Sequence, residues 1–184
     1  MDKSDKIYIG KSGFHNKGLI ASKNIKKGER IFLIQGKKIK FLISSEKQAD
    51  KAGLNWIGYA KNTWIDPVGY GLFINHSCRP NAAIKGKLQV IALRNIKKGE
   101  EVTFDYSMSE TDIFWHIKCN CRHKNCRRII RSIQFLPKNV FKKNLRSIPK
   151  YFQSVFKKFH ISNFQNGEEL KIKWVDFLKK GFRV

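Results

Sequence analysis

Three cysteines fall close together as Cys119-x-Cys121-x4-Cys126. Thiols at that spacing can converge on one ion, and zinc closes such a site with four ligands at about 2.3 Å for sulfur. Cys78 is the remaining cysteine of the chain and one candidate for the fourth place, and His123 is the other. In a reducing compartment such cysteines read as metal ligands rather than as a disulfide framework. Arg79, Arg122, Lys124, Arg127 and Arg128 surround them and would offset the charge of the thiolates.

Cys78 itself ends the polar part of Leu72-Phe73-Ile74-Asn75-His76-Ser77-Cys78-Arg79-Pro80-Asn81. Asn75, His76 and Ser77 follow an apolar run, so they need hydrogen-bond partners or a ligand if they follow it inside. Pro80 lacks a backbone donor and holds Arg79 extended, which makes this a strand running into a rigid loop, the kind of loop that carries sites. A third stretch, Gly99-Glu100-Glu101-Val102-Thr103-Phe104-Asp105-Tyr106, reads as a strand. Its alternation puts Val102, Phe104 and Tyr106 on one face, an apolar wall with a phenol at its end.

The elements that must position these groups are mostly strands. From Ile7 to Ile34 short apolar runs alternate with glycine-containing breaks. Within them Asn24-Ile25-Lys26-Lys27-Gly28-Glu29 is repeated, residue for residue, as Asn95-Ile96-Lys97-Lys98-Gly99-Glu100. In each copy a strand enters a Lys-Lys-Gly turn and another strand leaves it, and the glycine supplies the positive φ such turns need. Residues 39–54 are polar and weakly patterned, a short helix or insert, and 56–66 form two strands about a Lys61-Asn62 turn. Beyond Ile129, apolar residues recur every three or four positions between Pro137 and Pro149 and after it. That periodicity predicts two short amphipathic helices packed on the strand-rich body. A looser end is expected from His160 to Val184, with a helical turn or two around Trp174 to Leu178.

With 184 residues and 41% hydrophobic content, the chain fits one domain with an appendage. Lys and Arg outnumber Asp and Glu by 38 to 14, a formal +24, which suits a phosphate-rich partner such as nucleic acid. No stretch approaches the roughly 20 apolar residues of a membrane span, and no signal-peptide pattern follows Met1, so no membrane partner is expected. Synthesis in a cytoplasm is expected, with nuclear or secreted destinations open.

In order and spacing, the Phe73–Asn81, Gly99–Tyr106 and Cys119–Cys126 motifs resemble the SET-domain protein lysine methyltransferases with their post-SET zinc motif, over approximately residues 7–130. The resemblance implies a mainly β, β-clip-like SET fold with a pseudoknot between the Asn75–Cys78 and Tyr106 segments, a zinc-binding post-SET segment and C-terminal helices. Its implied division is a SET domain at 7–118, a post-SET segment at 119–131 and a basic helical extension at 132–184. It implies methylation of lysine in a histone or other protein, with S-adenosylmethionine as donor and Zn2+ on Cys78, Cys119, Cys121 and Cys126. Asn16, Lys17, Gly18 and Leu19 match the N-terminal cofactor loop. Phe73, Asn75 and His76 would hold the cofactor, Asn75 by its side chain and His76 chiefly by its backbone. The Tyr106 hydroxyl would orient the methyl group, Phe104 stands where the family tunes methyl number, and Tyr59 or Trp56 would wall the lysine channel. Leu72 replaces an arginine common in the family. The other reading is a basic nucleic-acid or chromatin-associated protein that keeps the scaffold without catalysis.

Overall fold

The computed structural model describes residues 4–86 and 88–180; residues 181–184 of the expected loose end lie outside the described residues. The strands are β1 (Ile7–Lys11), β2 (Lys17–Ala21), β3 (Arg30–Leu33), β4 (Gln35–Lys40), β5 (Ile57–Ala60), β6 (Thr63–Val68), β7 (Asn75–His76), β8 (Ala82–Lys85), β9 (Gln89–Ala92), β10 (Glu101–Phe104), β11 (His116–Lys118) and β12 (Ile129–Arg131). The helices are α1 (Glu46–Ala49), α2 (Lys138–Asn144), α3 (Lys150–Phe159) and α4 (Gly167–Lys179). Strands group as β1-β2-β10-β7, β3-β9-β8, β4-β6-β5 and β11-β12. The fold is mainly β with C-terminal helices, as expected.

One pairing departs from the antiparallel pattern. β7 runs parallel to β10, with Asn75 opposite Thr103 and His76 opposite Phe104. Parallel neighbours need a long crossover, here the path through β8, β9 and the second Lys-Lys-Gly turn. The pairing laces the Asn75–Cys78 segment against the Tyr106 segment, and Ser77 N donates to Phe104 O at 3.1 Å.

The two copies of the repeat clasp each other. Ile25 N donates to Ile96 O and Ile96 N to Ile25 O, at 2.8 and 2.9 Å. Gly28 N donates to Ala92 O while Gly99 N donates to Ala21 O, both at 2.8 Å. Each asparagine side chain crosses over, Asn95 Oδ1 accepting from Lys27 N and Asn24 Oδ1 from Lys98 N, both at 2.9 Å. Gly28 and Gly99 have φ of +83° and +85°, the left-handed geometry that any Cβ would strain. The repeat thus satisfies turn amides that neither copy could satisfy alone.

Leu19, Ala21, Phe32, Ile65, Val90 and Val102 belong to the core of the strand body. A second core gathers Met108, Ile113 and Ile133 with Phe141, Phe152, Phe156 and Trp174 of the helices. α2 and α3 begin directly after Pro137 and Pro149, whose fixed φ suits a helix start. They meet through Phe141 and Phe156, stacked at 3.7 Å. The expectation of a loose end after His160 is corrected: α4 is the longest helix described, and Leu170, Trp174 and Leu178 are buried along one side of it. Asn166 caps it by accepting from Glu169 N at 2.9 Å, and Glu169 reaches back to Gln165 N at 2.8 Å. At its other end Lys61 Nζ donates to Phe177 O at 2.7 Å and Asn62 Nδ2 to Leu178 O at 3.3 Å. A cation and a donor thereby complement the negative end of the helix and tie it to the β5–β6 turn. In residues 39–54 the expected helix is the single turn of α1, and residues 39 and 40 form the end of β4.

Candidate functional site

Sγ atoms of Cys78, Cys119, Cys121 and Cys126 all lie within 4.8 Å of one another. A tetrahedral site with bonds of 2.3 Å sets sulfur atoms about 3.8 Å apart, and Cys78 and Cys119 are 3.7 Å apart. The donor set and its spacing fit Zn2+. His123, the rival ligand, is outside this group; its Nε2 contacts Arg79 Nη1 at 3.2 Å and its Nδ1 accepts from Asn125 N at 3.3 Å. Backbone amides of Arg127 and Arg128 point at the sulfurs of Cys78 and Cys126, at 3.4 and 3.3 Å, which favours thiolate.

Beside this cluster the polar loop residues find their partners in the N-terminal hairpin. Asn75 Nδ2 donates to Lys17 O at 2.8 Å and to Glu101 Oε1 at 2.7 Å. Glu101 Oε2 in turn accepts from Ser12 Oγ at 2.9 Å and Gly13 N at 3.2 Å, and Ser12 Oγ accepts from His15 N at 3.0 Å. Gly18 stands where this network passes: a Cβ there would collide with the side chains of Glu101 and Asn75. Lys17, Gly18 and Asn75 are therefore brought together. Asn16 lies one residue before β2, its carbonyl accepting from Ser12 N. Leu19 is fully buried in the core, so only its backbone can face a ligand, and the Phe73 ring packs against the same core. Glu101 and Ser12 were not singled out from sequence; the doubled glutamate of the Gly99-Glu100-Glu101 turn was the available signal.

His76 is buried, and its Nδ1 accepts from Tyr106 N at 3.2 Å. That donor fixes the neutral tautomer with its proton on Nε2, which faces Cys78 Sγ at 3.4 Å. Burial, with the charges of Arg127 and His15, pushes its pKa down to about 3. The 3.6 Å approach of Asp105 to His76 is thus no ion pair. Asp105 instead meets Arg127, whose Nη2 donates to its Oδ1 at 2.5 Å while Nη1 donates to Ser107 Oγ at 3.3 Å. Burial works against the Arg127 charge and the carboxylate overrides it, holding the guanidinium above its usual range.

Tyr106 opens a 3-10 turn after β10 and its hydroxyl donates to Ile74 O at 2.9 Å. Its ring lies 4.9 Å from Phe104 and 5.3 Å from His76. Burial raises its pKa above the ordinary tyrosine range, so the phenol stays protonated. Phe104 and Tyr106 line a narrow cleft of about 100 Å³ together with Trp56, Leu72, Glu110 and Trp115. Tyr59 is not part of this lining, its ring lying under the Lys38 ammonium, 4.6 Å from Nζ, whereas Trp56 is part of it. Trp115 and Glu110 come from a segment without periodicity, and nothing in the sequence marked them for the cleft.

Residues 16–107, half of the chain, match the family described as SET domain. Human histone-lysine N-methyltransferase 2B is 32% identical over 146 residues, 71% of this chain and 5% of that protein. The H3 lysine-4 specific histone-lysine N-methyltransferase of Aspergillus oryzae is 32% identical over 137 residues, 66% of this chain and 11% of that protein. The chain thus spans only a small part of the length of these curated relatives. The methyltransferase domain of human SETMAR has a similar fold, with a TM-score of 0.54 at 23% identity over 68% of this chain and 58% of that one.

Proposed function

The chain belongs to the SET-domain family, and from that premise we propose that it is a protein lysine N-methyltransferase using S-adenosylmethionine. The observation that carries this reading is the parallel β7–β10 pairing, which sets Asn75 and His76 directly behind Phe104 and Tyr106, two residues that line the aromatic cleft. S-adenosylmethionine, when bound, supplies an electrophilic methyl group on a positive sulfonium. The residues fit it: both amide protons of Asn75 are spent inside the fold, on Lys17 and Glu101, which leaves Oδ1 to accept from the donor's amino groups. Cys78, Cys119, Cys121 and Cys126 would hold a structural zinc ion that fixes residues 119–131 beside this pocket.

Tyr106 donates its hydroxyl hydrogen bond to Ile74 O, which leaves the lone pairs of its oxygen free to accept. Phe104, Trp56 and Trp115 exclude water and hold the substrate chain straight. Methyl transfer needs a neutral amine, and deprotonating a free lysine at pH 7 costs about 4–5 kcal/mol. An apolar cleft disfavours the ammonium by desolvation, and a neighbouring positive charge does so by repulsion. The proposed substrate is lysine in a histone or other chromatin protein, which would place the working protein in a nucleus.

Tyr106→Phe removes the hydroxyl and keeps the ring. Its transfer of labelled methyl to histones should fall by about 100-fold or more, with the circular dichroism spectrum unchanged. Full activity in the variant would sink the role given to Tyr106. A second reading, favoured by the +24 charge, is a basic nucleic-acid-binding protein on this scaffold. On that reading the wild-type protein would bind DNA with a steep salt dependence and transfer no methyl group from S-adenosylmethionine.

A further inference from the structure

Glu110 lines the cleft, and neither the cofactor nor the methyl group draws on it in the function proposed above. It shares the lining with Tyr106, Phe104, Trp56 and Trp115 and is only 8% exposed. Its Oε1 accepts from Thr111 N at 2.7 Å and Asp112 N at 2.6 Å, which fixes the plane of the carboxyl. Oε2 has no hydrogen-bond partner among the described residues, and no lysine or arginine pairs with the group there. A carboxyl taken out of water is retained at a cost unless a cation or donor meets it. In the aromatic cleft of a lysine methyltransferase, the cation that enters is the substrate's own ammonium.

We propose that Glu110 is a catalytic residue whose Oε2 meets the ammonium of the entering lysine and takes one proton from it. The inference rests on the lysine methyltransferase reading above. In this step one N–H bond breaks and its electron pair stays on nitrogen, while an O–H bond forms on Glu110. An ammonium and a carboxylate become a neutral amine and a carboxylic acid, and the acid later releases its proton to solvent.

The groups facing Glu110 agree with the role. Asp112 comes from its own segment, Tyr151 from α3 and Tyr106 from across the cleft, and none brings a positive charge. Burial first, and Asp112 second, push the Glu110 pKa up to about 8, against the two amides. The carboxylate form is therefore present above about pH 8 and lost below it.

The test is the pH profile of kcat/KM for a lysine peptide, in the wild type and in Glu110→Gln. The wild-type profile should rise through about pH 8 and level off. In the Gln variant it should keep rising toward the pKa of free lysine, about 10.4, with activity about 100-fold lower near pH 8.5. Superimposable profiles would overturn the proposal. Glu110→Asp keeps an acid and should keep the limb near pH 8 at a reduced rate; loss of that limb would also overturn it. A second readout needs no methyl transfer: with 13C-labelled glutamate, n-butylammonium should shift the Glu110 carboxyl resonance. A wild type that shows this shift but methylates no protein would refute the proposed function while leaving the amine site standing. Absence of the shift would refute the amine site itself.

Discussion

Arg127 shows how a single side chain joins two sites. Its backbone amide points at Cys78 Sγ while its guanidinium grips Asp105, the residue before Tyr106. Asp105 is fully buried, so removing its partner leaves an uncompensated charge in the interior. Arg127→Met should cost about 3–5 kcal/mol of stability by urea unfolding. Adding Asp105→Asn in the same chain should recover part of that loss, because the orphaned charge is gone. The chemistry of Asp105, His76 and Tyr106 was legible only in part. Residue types and their order pointed to Tyr106 and Asn75, whereas the buried His76 ring accepting from Tyr106 N depends on a parallel pairing between distant segments. Glu110 gave no signal at all, since its surroundings include Trp56 and Leu72 across the cleft and Tyr151 of α3, which lie far from it in sequence.

At the scale of elements, residues 119–128 hold no strand or helix and depend on a few backbone bonds, such as Cys119 N to Arg128 O at 2.6 Å and Cys126 N to His123 O at 2.9 Å. Such a segment needs a cross-link to stay in place, and the four thiols are placed to accept one. Treatment with a strong chelator should release residues 119–128 to limited proteolysis and weaken S-adenosylmethionine binding in a calorimetric titration, while the strand body stays protease-resistant. Binding that ignores the chelator would remove zinc from the account of the pocket. The cysteine spacing made this element readable before any coordinates. α4 was not read as a full helix, although Asn166-Gly167-Glu168-Glu169 is a capping box and Leu170, Trp174 and Leu178 recur at spacings of four. The lysines between those positions diluted the pattern, and the helix gains its stability from the core it joins rather than from its own sequence.

Across the whole molecule two cores stand side by side, one of strands and one of helices, with Met108 and Ile113 of the cleft segment belonging to the second. The wall that carries Glu110 and Trp115 is therefore only as firm as the helical core beneath it. Trp174→Ala should lower stability by about 3–5 kcal/mol, and it should weaken peptide binding in the cleft although Trp174 is not in its lining. Fluorescence-monitored unfolding and peptide titration of the same variant check both. The strand core has its own fastening in the reciprocal bonds between the Asn24–Glu29 and Asn95–Glu100 turns. Because residue i meets j as j meets i, that fastening has the geometry of an isologous dimer contact folded into one chain. A peptide carrying either copy alone already contains, in a second molecule of itself, every donor and acceptor the contact requires.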